Sequence, residues 1–144
     1  MGRRTKKSAK SLDELLEDAL VPSEEQPYAV PDNWVWVKSE VIAHWGSGGT
    51  PPRKNPEYYR GNIPWIKSGE LKDQIIFETE EYISEEAILN SGAKLFPKGS
   101  IAIAMYGATI GKVGILGIDA ATNQACAVGI PRELTNSEYM FYYF

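Results

Sequence analysis

The chain has 144 residues, 43% hydrophobic and 24% charged, and carries a formal net charge of −4. That is the size of one ordinary domain with apolar content for one core, which excludes a disordered chain, and no apolar run approaches the roughly 20 residues that cross a bilayer. The one cysteine, Cys126, and the one histidine, His44, exclude an internal disulfide and, by themselves, a structural zinc site.

Residues 1–10, MGRRTKKSAK, form a basic tail. SLDELLEDAL follows with acids where a secretion signal needs a continuous apolar stretch, so the chain is expected in the cytoplasm. Residues 11–20 predict a short amphipathic helix. Ser11 caps it, Asp13 and Glu14 suit its positive end, and Leu12, Leu15, Leu16, Ala19 and Leu20 share one face. Residues 22–33 hold three prolines and read as a linker.

The globular domain is expected over 34–136. It opens on Trp34-Val35-Trp36-Val37, a β-prone alternation whose tryptophans are expected in the core. Residues 46–56 are a Gly- and Pro-rich loop, and 63–66 and 75–77 read as short strands. Ser84 caps a short helix that Gly92 closes. Residues 101–106 and 110–116 read as a hairpin around Gly107-Ala108-Thr109, and 124–130 as a buried strand holding Cys126. Asn136 or Ser137 then starts a helix over 137–144. The expected fold is α+β: a compact, curved, mixed or antiparallel sheet with short helices, preceded by the N-terminal helix.

Charge is segregated along the chain. Residues 51–72 hold five Lys or Arg against two acids, 73–93 hold six acids and no base, and 94–112 hold three lysines and no acid. If the fold gathers the two basic stretches, a phosphate-facing surface results despite the acidic total.

Catalytic readings fail. Asn55-Pro56-Glu57-Tyr58 departs from the Asn-Pro-Pro-Tyr signature of adenine amino-methyltransferases at Glu57, and nothing supplies a cofactor domain. Gly46-Ser47-Gly48-Gly49 lacks the Gly-Lys-Ser/Thr of a phosphate loop. No nucleophile lies in a plausible pairing with His44.

A distributed pattern discriminates further. It runs Gly48-Gly49-Thr50-Pro51, Tyr58-Tyr59-Arg60-Gly61-Asn62-Ile63-Pro64-Trp65-Ile66, Ser68-Gly69-Glu70-Leu71 and Ile83-Ser84-Glu85-Glu86-Ala87-Ile88. Ser91-Gly92-Ala93-Lys94-Leu95-Phe96-Pro97-Lys98-Gly99-Ser100, Gly107-Ala108-Thr109-Ile110-Gly111-Lys112 and Ala121-Thr122-Asn123-Gln124-Ala125 complete it. The ordered set resembles the target recognition domains of type I restriction–modification specificity subunits, over residues 34 to about 136.

The resemblance implies sequence-specific binding of double-stranded DNA without catalysis. In that family two such domains, separated by long helices, each read one half of a split site. Methylation subunits using S-adenosylmethionine, and restriction subunits using ATP and Mg, do the chemistry, so this chain needs no cofactor of its own. It implies a chain truncated to one domain, ending at the start of a spacer helix. The aromatic end over 138–144 is then expected to self-associate. The rival reading is a remnant without DNA binding that docks on a methylation subunit.

DNA reading needs cations for phosphates and planar polar groups for base edges. The candidates are Lys54, Arg60, Lys67, Lys98 and Lys112 for phosphate or base, Asn123 and Gln124 for adenine edges, and Tyr106 and Thr109 at the hairpin tip. Positions common to the family do not explain differing specificities. The base readers are therefore expected over 67–81 and at the 106–109 tip.

Overall fold

The computed structural model describes residues 10–144; nearly all of the expected basic tail, residues 1–9, lies outside them. The chain divides into two units, the first ending at Val41 and the second spanning Ile42–Phe144.

In the first unit, helix α1 spans Leu12–Ala19. Ser11 Oγ accepts from Glu14 N, and the Glu14 carboxylate accepts from Ser11 N, so two otherwise orphaned donors are satisfied reciprocally. None of the α1 residues is buried; Leu12, Leu15 and Leu16 are all exposed. The proline-rich segment contains one short 3-10 turn, Ser23–Glu25.

The expected strand over Trp34–Val37 does not form. Only Val37 pairs, through a single antiparallel bridge to Leu20, and the chain then turns into helix α2, Ser39–Ile42. Alternation alone builds no strand without a partner along its length. The expectation of core tryptophans fails at Trp34, which is 52% exposed. Trp36 is half-buried, donates its Nε1–H to Tyr28 O at 3.0 Å, and meets the Tyr28 ring edge-on.

The second unit is α+β, as expected, with its strands divided between two mixed sheets. Strands β1 (Ala43–Ser47), β9 (Cys126–Pro131), β6 (Ile101–Ala104), β7 (Val113–Leu116) and β3 (Gln74–Ile76) lie side by side in that order. The second sheet runs β4 (Glu81–Ile83), β2 (Ile63–Ile66), β8 (Ala120–Thr122) and β5 (Leu95–Phe96). The expected hairpin is present, with β6 and β7 antiparallel, while β3 joins β7 and β8 joins β2 in parallel.

The period of two along each strand sorts residues between layers. Ala102, Ala104 and Leu116 face inward with Val128 and meet Ile66, Phe96 and Ala120 of the other sheet in one cluster. The alternate residues Ile101, Val113 and Ile115 form a second cluster under helix α4 (Ser137–Tyr143), closed by Met140. Trp65, Ile83 and Ala121 form a third, covered by helix α3 (Glu85–Asn90) through Ala87 and by the 3-10 turn Pro56–Tyr59. Three apolar layers therefore hold two sheets and their covering helices.

Ser84 caps α3 as expected, its Oγ accepting from Ala87 N. Gly92 does not close that helix with a left-handed residue. Ser91 is the C-cap, its hydroxyl donating to Ala87 O and accepting from Ala93 N. Gly92 has another use: its carbonyl lies where a side chain on Gly49 would begin. Gly48 is pressed in the same way against Thr122 and the Asn123 carbonyl, so the Gly48-Gly49 pair lets three backbone segments meet. In α4, Met140 is buried, whereas Tyr139, Tyr142 and Tyr143 are exposed; Phe144, the C-cap, meets Trp45 edge-on while remaining partly exposed.

Candidate nucleic-acid interface

The parallel register of β2 and β8 sets Ile66 opposite Thr122, so the residues following each strand emerge together. Asn123 N donates to Ile66 O at 3.0 Å, and Ser68 N donates to Asn123 Oδ1 at 3.3 Å. The Ser68 carbonyl in turn accepts from Thr109 Oγ1 at 2.9 Å, which ties the hairpin tip to the same point. Met105 N donates to Ala125 O at 2.8 Å and fastens the other side of the tip. Gly107 and Gly111 take positive φ of 90° and 81° within the tip, a conformation open to glycine without strain.

Glu70 organises the adjoining loop. Its carboxylate accepts from Lys67 N at 2.8 Å, Thr79 Oγ1 at 2.8 Å and Glu80 N at 2.9 Å, so residues 67–70 and 79–80 form one rigid piece. Ser68-Gly69-Glu70 is conspicuous in the sequence, but nothing there ties it to Thr79. Asp73 lies within the expected 67–81 reading stretch, but nothing in the sequence singles it out. It takes a positive φ of 55° and accepts from Val113 N at 3.1 Å, which locks the start of β3 to β7.

Of the second basic stretch Lys112 reaches this end, beside Lys67 and Arg53 of the first, and the acidic stretch lies among them. Lys67 Nζ reaches Glu80 at 2.9 Å and Glu81 at 3.1 Å. Arg53 grips Glu81 with two bonds of 2.6 and 3.1 Å, and its guanidinium lies 4.1 Å from the centre of the Tyr59 ring. Lys112 Nζ reaches Asp73 at 2.6 Å. These pairs set the protonation equilibria. The hydrogen bond from Lys112 holds Asp73 below the usual carboxylate range, with help from Val113 N, and Lys67 does the same for Glu80. The bonds to Glu80 and Glu81 raise Lys67, and the bond to Glu81 raises Arg53.

Among the sequence-derived candidates, Lys67, Thr109, Lys112 and Asn123 are brought together around Ser68 and Asp73. Gln124 is exposed beside them and accepts from Thr50 Oγ1. Tyr106 is half-exposed on the tip, and Lys54 is exposed in the turn after Arg53. Lys98 and Arg60 do not join this group. Lys98 precedes β6 and Tyr106 follows it, so about 13 Å of strand, at about 3.3 Å per residue, separates them. Arg60 lies at the opposite end of β2 from Lys67 and pairs with Glu57 at 2.6 Å. The missed residues are Arg53, Glu81 and Asp73, because ion pairing between distant segments leaves no mark in sequence.

Cys126 is buried, its thiol bonded to Asn123 Oδ1 at 3.4 Å, and burial pushes it up to about 12, far from a nucleophile's range. His44 is exposed on β1. Among the described residues no three His, Cys, Asp or Glu side chains gather as a metal site, and no helix is long and apolar enough to cross a membrane. The arrangement offers cations, amides, a hydroxyl and an aromatic ring on joined segments.

The chain is 33% identical over 111 residues to the type I restriction enzyme EcoR124I/EcoR124II specificity subunit of Escherichia coli, covering 74% of this chain and 28% of that protein. It is 35% identical over 118 residues to the MjaIX specificity subunit of Methanocaldococcus jannaschii, covering 80% of this chain and 27% of that protein. The chain thus spans little more than a quarter of the length of these relatives. Among solved structures, the HsdS subunit of Thermoanaerobacter tengcongensis shares the fold with a TM-score of 0.66 at 17% identity, over 91% of this chain and 31% of that one. A structure from work on assembly and conformational transition of the type I R-M system matches equally, at 0.66 and 18% identity, over the same shares. Residues 31–144 match the model of the type I restriction modification DNA specificity domain, and the chain belongs to that family.

Proposed function

We propose that the chain binds double-stranded DNA sequence-specifically and reads one half of a bipartite site for a type I restriction–modification complex, while methylation and restriction subunits carry the catalysis. The observation that carries this reading is the junction at Ser68. It holds Lys67, Thr109 and Asn123 on one fixed end of the domain, with Lys112 and the Tyr106 tip beside them. Rigid presentation of polar groups is what base reading requires, since phosphate contacts position a protein and base contacts specify the sequence. The readers in this scheme are the 67–81 segment and the 106–109 tip, with Gln124 and Lys54 at their margins. Lys98 and Arg60 lie apart and would touch DNA only where it extends beyond that end.

The test has two steps. Methylome sequencing of cells with and without the gene identifies a motif that depends on it. Fluorescence anisotropy of the full chain then compares a duplex carrying that motif with a scrambled one. Tighter binding to the motif, weakening steeply with salt, is expected. Equal affinity for both duplexes contradicts the reading.

A second reading has one observation in its favour, the exposed leucines of α1 at positions 12, 15 and 16. A chain without DNA binding would dock on a methylation subunit through that face. Leu12→Asp with Leu16→Asp would then abolish co-purification with the subunit, whereas the DNA-binding reading leaves anisotropy unchanged by these substitutions.

A further inference from the structure

Three cations around the Ser68 junction are each held by a carboxylate from the acidic stretch. Lys67 lies between Glu80 and Glu81, Arg53 is gripped by Glu81, and Lys112 is held by Asp73. The carboxylates come from residues 73–81, the segment from the start of β3 to the start of β4 that also supplies part of the proposed reading surface. Four of the partners are largely solvated: the side chains of Lys112 and Asp73 are 52% and 48% exposed, Glu80 is 73% and Arg53 56%. Solvated pairs of this kind exchange partners easily. They are therefore no obstacle to a DNA phosphate that arrives in register, but they lower the attraction felt by every phosphate.

We infer that Asp73, Glu80 and Glu81 limit non-specific binding by masking Lys112, Lys67 and Arg53, so that phosphate contact alone does not hold the chain on DNA. The inference rests on the DNA-binding reading above. Binding to arbitrary sequence consists almost wholly of phosphate neutralisation with release of counterions. Each carboxylate left beside a cation removes part of that gain and repels the phosphate as well. A specific complex adds contacts to base edges, and these are independent of the masked charges. Non-specific binding has no such second source of affinity, so the acids keep arbitrary sequence from holding the chain. The acidic total of the chain, −4 overall, fits this arrangement better than a surface built for tight phosphate binding.

Two substitutions isolate the effect. Asp73→Asn keeps an oxygen to accept from Val113 N, and asparagine tolerates the positive φ of 55°. Glu80→Gln changes a carboxylate that bonds only Lys67 among the described residues, and its backbone bond to Glu70 is untouched. Glu86→Gln is the control, an exposed acid in the first turn of α3 with the same effect on net charge. The full chain and the three variants are titrated against a mixed-sequence duplex at several salt concentrations, with thermal melts to show that each is folded. Asp73→Asn and Glu80→Gln are each expected to raise affinity about fivefold to tenfold and to steepen the salt slope by up to about 0.9 per cation released. Glu86→Gln is expected to change neither. If the wild-type chain binds with normal salt dependence and both site variants match it, the inference falls and the DNA-binding reading stands. An equal rise for Glu86→Gln also overturns it, because net charge would then suffice. Absence of binding by every protein at low salt removes the inference and the reading together.

Discussion

The side-chain oxygen of Asn123 accepts the backbone N–H of Ser68 at 3.3 Å, which joins two segments 55 residues apart in the chain. The same oxygen accepts from the Cys126 thiol, so Asn123 works as an acceptor with two donors. Its amide therefore holds the loop in place, whatever else it contacts.

Asn123→Ala is expected to lower stability by about 1–2 kcal/mol, because Ser68 N loses its partner in a half-buried setting. Asn123→Asp keeps the acceptor and is expected to stay closer to wild type. Urea denaturation of the three proteins checks the order. Equal loss in both variants would mean that the amide nitrogen matters rather than the oxygen.

Lys54 and Lys112 differ in what their removal leaves behind. Lys54→Ala removes a cation without an ion pair among the described residues, so affinity should fall alike for all duplexes and the salt slope should drop by about 1. Lys112→Ala also strips the Asp73 carboxylate of its partner and exposes that charge to phosphate. It should weaken binding more than Lys54→Ala. Anisotropy titrations over a salt series measure both, and an untouched affinity for either variant removes that residue from the interface.

Gly49 and Gly92 make a matched pair. A methyl on Gly49 would run into the backbone of Gly92 and Ala93, whereas one on Gly92 meets nothing within 4 Å. Gly49→Ala should cost about 3 kcal/mol, at the upper end of overpacking penalties because backbone rather than side chain must shift. Gly92→Ala should be close to neutral. Chemical denaturation midpoints decide, and a tolerated Gly49→Ala would show that the loops separate freely.

Cys126 adds a pH dependence. Its folded value near 12 lies above the ordinary 9.0, so the unfolded chain loses its thiol proton first as pH rises. The unfolded state then binds fewer protons, and stability falls between about pH 9 and 12, by at most about 1.4 kcal/mol per pH unit. Tyr59 and Lys67 are also raised and titrate in the alkaline range, so the thiol's share is read by comparison with Cys126→Ala, whose curve should be flatter. In the native state at neutral pH the thiol should resist iodoacetamide, and it should react once the chain is denatured. Rapid native alkylation would show that the β9 layer opens.

Sequence by itself determined the local elements and the family. Ser11, Ser84 and Asn136 stand at helix starts because short oxygens satisfy the first backbone donors, and all three cap in the structure. The alternation Ile101-Ala102-Ile103-Ala104 sorted itself between two layers because strand side chains point to opposite faces. Both signals are carried by neighbouring residues, so they are legible without a fold. The same logic misled at Trp34–Val37, where alternation is present but only Val37 pairs, through one bridge to Leu20. Tertiary structure alone decided the division into two sheets, the convergence of Lys67, Thr109, Lys112 and Asn123, and the exclusion of Lys98 and Arg60 from that group. It also decided which carboxylate meets which cation. Coulomb attraction and hydrogen bonding act through space at about 3 Å. Partners such as Arg53 and Glu81, 28 residues apart, are chosen by sheet register, which neither residue encodes alone.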